Sequence, residues 1–316
     1  MLVLTAPQIA TLLTTLTPSQ FLTLQDKMAA SLASFSSQHP PSSSDPHLEP
    51  TIHQPPRTIL TTSESITSLI MPCTDTHTTT SVKTVCLAPG NPPLGAITVF
   101  SPDGTLRGVL NAAELTAFRT ALVTSCVLRH VRECRRWVAP QGGANVVVFG
   151  GGRQAVWHLR LLSRTLGENV GRVTVVNRGR GRVEGWGEAG DGVDFLVKDG
   201  NGGYEARLRE VLGQADVVVG TTPSTEPLFS REMLGERKGR FVALIGSYKP
   251  TMVEVDTETL MSGGKVLVDS VEDCLIESGE IIKAGLGPQE LIEIGSIFSG
   301  AEKLEEESPG QNVVFK

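Results

Sequence analysis

Apolar residues fall into two patterns along this chain, and the change from one to the other divides it. In the first third they come in short pieces: Leu2 to Leu4, a helical spacing at Ile9, Leu12, Leu13 and Leu16, and a second helix from about Ser19. A Pro/Ser-rich loop from Ser36 to Pro50 follows, then the β-like pieces RTIL, TSLIMP, SVKTVCL and GAITVF. Asp103-Gly104, between GAITVF and TLRGVL, predicts a hairpin, so these pieces should form a small, largely antiparallel sheet. The stretch Glu114 to Val131 carries Leu115, Phe118, Leu122 and Cys126 at helical spacing, with Asn111 available as a cap. Beyond it the apolar runs become continuous and recurrent: Val146 to Phe149, a run ending at Asn177, Val193 to Val197, Val217 to Val219, Phe241 to Ile245, and Lys265 to Val268. Runs of that length suit strands buried on both faces, and six of them predict a doubly wound parallel sheet with its ligand crevice at the carboxyl ends. Those ends carry Gly150, Asn177, Thr221, Thr222 and the segment Gly246-Ser247-Tyr248.

The first two runs enclose a chemical signature. Between them lie Gly150-x-Gly152-x-x-Ala155 and about a dozen residues of helical pattern. In such a βαβ unit the first glycine allows the tight turn, the second lets backbone approach a pyrophosphate, and the small third residue lets helix pack on strand. The helix N-terminus then favours an anion. This is the Rossmann arrangement, and the end of its second strand indicates which dinucleotide it takes. NAD requires an acidic residue there for the ribose 2′-hydroxyl, whereas NADP requires a cation for the 2′-phosphate. Here stand Asn177 and Arg178, followed by Arg180 and Arg182, with no carboxylate before Glu184. NADP(H) is therefore expected rather than NAD.

Composition removes several other classes. The 316 residues are enough for two domains with sizeable cores, and 40% hydrophobic with 20% charged residues is an ordinary globular balance. With 28 basic against 34 acidic residues the net charge is -6, so the RGRGR run is no part of a general nucleic-acid footprint. The first twenty residues contain no cation and are interrupted by Thr and Pro, which fits neither a signal peptide nor a membrane span. Five scattered cysteines without a Cys-x-x-Cys pair suggest free thiols in a reducing cytoplasm, and the six histidines show no metal-binding spacing.

Several segments, taken in order, carry a family resemblance: PPR at Arg57, MP at Met71 and Pro72, VKTVCLAPGN at Lys83, LTAFRT at Arg119, the GGGRQA loop, ADVVVGTTPSTEP and GSYKPTMVEVD. Together they resemble the ornithine cyclodeaminase and mu-crystallin family over nearly the whole chain. The resemblance implies a homodimer in which a substrate and dimerisation domain, residues 1–125 and 286–316, frames an inserted Rossmann domain, residues 126–285. It implies that Arg57, Lys83 and Arg119 hold the α-carboxylate of an imino or amino acid beside the nicotinamide. Guanidinium forks and an ammonium suit that task. Of the three, Arg119 is expected on the apolar side of its helix, where an unpaired cation is costly. The resemblance also implies that Thr120 and Thr222 meet the cofactor, with Gln154 in the glycine loop and Gly246 at a strand end. Asn177-Arg178 is similar to the NADPH-using mu-crystallin pattern.

Two features depart from the cyclodeaminase pattern. Tyr248 stands where cyclodeaminases carry an aspartate that handles the amine and water, and a phenol with a pKa of about 10 is no carboxylate base at neutral pH. After NVVFK the family normally continues with a short segment and a helix that returns to the substrate domain. The expected activity is NADP(H)-dependent reduction of a cyclic ketimine carboxylate. The alternatives are a redox-neutral, ammonia-releasing ornithine cyclodeaminase using NAD, and a non-catalytic NADPH-binding protein.

Overall fold

A computed structural model describes residues 1–38, 50–134, 137–179, 192–198, 202–236, 239–304 and 311–316. The chain divides into two compact units, one formed by Met1–Leu24 and Ser34–Thr120, the other by Gln25–Ala33 and Ala121–Lys316.

The smaller unit is built on the antiparallel sheet that the short apolar pieces predict. Its strands are β1 (Leu2–Leu4), β2 (Ile52–His53), β3 (Thr58–Thr61), β4 (Thr67–Asp75), β5 (Thr79–Leu87), β6 (Leu94–Phe100) and β7 (Leu106–Asn111). They run in the order β1-β7-β6-β5-β4-β2, with β3 also on β4, and only β1 pairs parallel. The β6–β7 turn is closed by Gly104 N–H on Ser101 O, and Asp103 Oδ1 accepts from Thr105 N–H, as the Asp-Gly pair predicts. Helices α1 (Ala6–Thr14) and α2 (Pro18–Ser37) both begin after a threonine with proline in the first turn, the start signal of a capped helix. The apolar stripe expected on α1 is only partly realised: Ile9 is buried, but Leu12 is exposed and Leu16 lies past the helix end.

Helix α3 (Ala112–Glu133) starts on Asn111, whose Oδ1 accepts the Ala113 N–H as the expected cap. Residues up to Thr120 belong to the smaller unit and those from Ala121 to the larger. The sequence spacing suggests one apolar stripe. Ala121 through Leu128 are instead buried all round, including Thr124 and Ser125, whose hydroxyls are satisfied by His158 Nε2 and by Leu122 O with Gln25 Nε2.

The larger unit holds the parallel sheet: β8 (Ala144–Phe149), β9 (Val170–Asn177), β10 (Val193–Val197), β11 (Val217–Gly220), β12 (Phe241–Leu244), β13 (Val266–Val268), β14 (Leu291–Glu293) and β15 (Val313–Phe315). Their order is β10-β9-β8-β11-β12-β15-β13-β14. Alternate side chains feed two cores. Val146, Val148, Val217, Val219 and Ala243 pack with α3, α4 (Arg153–Leu166) and α9 (Ile294–Ser299) on one face. Val147, Phe149, Val218, Val242 and Leu244 pack with α5 (Tyr204–Gln214) and α6 (Thr257–Leu260) on the other, where α7 (Val271–Glu277) and α8 (Gly279–Ala284) follow. Helices on both faces are what continuous apolar strands require.

The described sheet has eight strands where the apolar runs predict six, and the described part of residues 286–316 lies in the larger unit. Val313 and Phe315 enter one core and Val314 the other, so the run fits between β12 and β13, where it buries both faces. Among the described residues no helix is long and apolar enough to cross a membrane.

Candidate functional site

Dinucleotide chemistry would lie at the carboxyl ends of the parallel strands, and the glycine loop there has the required geometry. Gly150 has φ 116°, and a Cβ on it would stand 2.5 Å from Thr221 Oγ1. Only glycine fits this turn, whose N–H donates to Val176 O. Gly152 differs: a Cβ there would meet nothing within 4 Å, so its backbone presents an open face at the N-cap of α4. Gln154 Oε1 is buried without a hydrogen-bond partner among the described residues. Fully buried Ala155 seats the helix on the sheet. An open backbone cradle at a helix N-terminus, beside an acceptor that lacks a donor, fits a ligand bearing phosphate and hydroxyl groups. His158, one turn on, is structural: its Nδ1 faces Gln154 O and burial drives its pKa down to about 4, so it stays neutral.

At the end of β9, Asn177 is half-buried and donates from Nδ2 to Gly179 O, and Arg178 is exposed. Arg180 and Arg182 lie outside the described residues. Lys198, which the sequence reading passed over, follows β10; its N–H donates to Asn177 O and its ammonium lies 5.9 Å from the Tyr204 ring centre.

The ends of β11 and β12 are joined by a residue that sequence reasoning missed. Thr221 bonds back to Phe149 O through both its N–H and its hydroxyl. Glu254, fully buried, accepts the Thr222 N–H on Oε1 at 2.9 Å and the Gly246 N–H on Oε2 at 2.6 Å. Its own N–H donates to Glu280 Oε1, and Lys316 Nζ lies 3.4 Å from Glu280 Oε2. Burial raises the Glu254 carboxyl to about 7, and Lys316 and the two N–H groups counter only part of this. Its signal in the sequence was a lone carboxylate between two apolar neighbours, Val253 and Val255, both buried. Tyr248 is exposed, with Lys249 Nζ 5.6 Å from its ring centre.

The three cations expected to hold a carboxylate all belong to the smaller unit. Lys83 lies in the middle of β5, paired with Met71 on one side and Ile97 on the other. Arg57 directly precedes Thr58, whose partner Ile70 adjoins Met71, so Arg57 and Lys83 fall in one cross-strand row two strands apart, about 10 Å. Burial lowers the Lys83 pKa to about 8, with Arg119 and then Arg57 adding in the same direction. Arg119 itself is exposed, between buried Phe118 and half-buried Thr120, which corrects the expectation of an apolar setting. What ties it to the cluster is its field on Lys83. Thr120 donates its hydroxyl to Thr116 O within the helix.

Among the described residues no group of three or more His, Cys, Asp or Glu side chains could hold a metal ion. A cavity lined by Lys265, Lys303 and Asn312 lies at the amino-terminal ends of β13 and β15, away from the strand ends described above.

A doubly wound parallel sheet with a glycine turn after its first strand defines a protein of the Rossmann-type α/β class. The chain belongs to the ornithine cyclodeaminase/mu-crystallin family, whose sequence profile matches residues 19–316. It is 30% identical over 240 residues to an uncharacterized protein of Saccharomyces cerevisiae, covering 64% of this chain but only 63% of the yeast protein's length. To a Delta(1)-pyrroline-2-carboxylate reductase of Bacillus thuringiensis it is 27% identical over 267 residues, covering 80% of this chain and 77% of that one. In fold it is similar to the Thermococcus litoralis Delta(1)-pyrroline-2-carboxylate reductase solved with NADH and L-proline, with a TM-score of 0.73 at 20% identity, over 100% of this chain and 91% of that one.

Proposed function

We propose that the protein is an oxidoreductase acting on a C=N group, specifically an NADP(H)-dependent reductase of a cyclic ketimine carboxylate of the pyrroline- or piperideine-2-carboxylate type. The observation that carries this reading is the cation cluster, in which Arg119 and Arg57 act on the half-buried ammonium of Lys83. Three clustered cations in one unit call for an anion, and a carboxylate is the anion that guanidinium forks and an ammonium bind best. Arg57 and Arg119 orient the carboxylate and Lys83 binds it; an already protonated imine needs no strong general acid, and Lys83 is the proton donor if one is used. The bound nicotinamide supplies the hydride. Gly150, Gly152 and Gln154 cradle the dinucleotide, and Arg178 beside Asn177 supports NADP(H) over NAD, since it offers a cation for a 2′-phosphate. Tyr248, which has no carboxylate, disfavours ammonia-releasing cyclisation. Exposed Leu2, Val3, Ile59 and Leu60 on the edge strands of the antiparallel sheet support a homodimer, and the five free thiols support a reducing cytoplasm.

The test follows NADPH and NADH absorbance with both ring sizes at mildly acidic and neutral pH. Oxidation of NADPH in preference to NADH, with the cyclic amino acid as product, is expected. No oxidation of either cofactor with any ketimine acid would overturn the reading.

A further inference from the structure

Glu254 performs none of the roles described so far, yet it is fully buried beneath the ends of two parallel strands. It is 0% exposed, and its two carboxylate oxygens bond two different strand ends, Oε1 to Thr222 N–H after β11 and Oε2 to Gly246 N–H after β12. The two backbones are pressed together over it. A Cβ on Gly246 would stand 2.3 Å from Thr222 O and 2.5 Å from Glu254 Oε1, and one on Gly220 2.6 Å from the same oxygen. Beneath the carboxylate a second layer braces the same loop. Lys316 Nζ donates to Ser247 O at 2.8 Å and to Leu244 O at 3.2 Å, on either side of Gly246. Glu280, 3% exposed, lies beside that ammonium and accepts the Glu254 N–H at 2.7 Å. Ser278 Oγ adds a bond to Glu280, and Ser247 Oγ donates to Met252 O, closing the turn that leads back to Glu254. The charged groups facing Glu254 are thus Lys316 and Glu280.

Buried carboxylates are costly unless each oxygen is satisfied, and a neutral apolar side chain of similar size would fill the space more cheaply. What a carboxylate alone provides is two acceptors on one planar group, which fixes the spacing of two N–H donors. In a doubly wound sheet the two mononucleotide halves of the ligand lie on the two halves of the sheet. The β9 end, with Arg178, belongs to the adenosine half. The ends of β11 and β12 then belong to the nicotinamide half.

We propose that Glu254 is a positioning residue, which with Glu280 and Lys316 sets the Thr222 and Gly246 backbones at the spacing that receives the nicotinamide half of the dinucleotide. The proposal rests on the nicotinamide-nucleotide reading above and adds a residue cluster to it.

Glu254→Gln tests it, because the amide keeps the volume but turns one acceptor into a donor that faces an N–H. Two ligand pairs are titrated into full-length protein: NADPH against 2′-phospho-ADP-ribose, and NADH against ADP-ribose. The second member of each pair lacks the nicotinamide. The expected result is a loss of tenfold or more in affinity for the dinucleotide that the unmodified protein prefers, with less than a twofold change for its nicotinamide-free counterpart. Equal losses for both, or no loss, would overturn the positioning role while leaving the proposed function in place. If the unmodified protein bound neither dinucleotide, that reading itself would fail, and the proposal with it. Should Glu254→Gln not fold, Glu280→Gln is read with the same ligands: a selective loss supports the proposal, and an equal loss or none overturns it.

Discussion

Lys83 owes its lowered pKa first to burial and then to two guanidinium groups, so its charge is lost near pH 8 rather than near its ordinary value. A base with a depressed pKa carries its proton below that value and sheds it above. On the proposed function, carboxylate binding by the charged Lys83 holds below about pH 8 and is lost above it, so kcat/KM, which reports the free enzyme, should fall on the alkaline side of that value. Lys83→Arg should move this limb to higher pH, because a guanidinium does not deprotonate, and Lys83→Met should abolish it at a much lower activity. A pH profile unchanged by both variants would remove Lys83 from the carboxylate site. Arg119→Leu keeps helix propensity, and since Arg119 is exposed its loss should leave the fold intact. We expect it to lower kcat/KM by about a hundredfold, roughly 3 kcal/mol, with NADPH affinity within a factor of a few. Arg178→Ala should weaken NADPH by about 1.5 to 3 kcal/mol and leave NADH nearly unchanged, measured by direct titration. Equal losses would show that the 2′-phosphate lies elsewhere.

The β8–α4 turn separates conformational need from ligand need within a single element. Gly150→Ala forces a side chain onto φ 116° and into Thr221, so it should lower stability by about 1 to 2 kcal/mol or more, read as a fall in the urea midpoint. Gly152→Ala meets open space and should leave that midpoint almost unchanged, yet reduce dinucleotide affinity at least tenfold by holding the pyrophosphate off the backbone. If Gly152→Ala bound NADPH and NADH as the unmodified protein does, the glycine loop would be a plain strand-to-helix turn. The sequence spacing assigns the turn to the first glycine and the backbone approach to the second, and the structure supplies the physical difference. Their different surroundings come from β11, which brings Thr221 against one and not the other.

Across the whole molecule, β15 ties the sheet together. Val313, Val314 and Phe315 are 4% exposed or less, and they lie between β12 and β13, feeding both cores. At about 1.5 to 3 kcal/mol per buried side chain the strand contributes roughly 5 to 9 kcal/mol, comparable with the whole net stability of an ordinary domain. Removing residues 311–316 should therefore abolish cooperative unfolding of the larger unit, followed by circular dichroism against urea. A truncated protein with an unchanged transition would show that β12 and β13 close on each other without it.

Local pattern determined much of this protein. Strands with continuous apolar runs, the Asp-Gly hairpin, the Asn111 cap and the glycine spacing depend on residues a few positions apart, and each is found where the sequence predicts it. The cation at the β9 end could be picked out for the same reason, whereas the basic residues at 57, 83 and 119 are singled out only by the family resemblance of the segments that carry them. Partnership was decided only in three dimensions. Buried strands look alike in sequence, so nothing local says that Val313–Phe315 lies between β12 and β13 rather than in the other domain. Arg119 sits in an apolar helix but points to solvent, because the helix buries Phe118 and Ala121 instead. Glu254, Glu280 and Lys316 are ordinary charged residues until the fold removes them from water together, and burial without that company would be too costly to sustain.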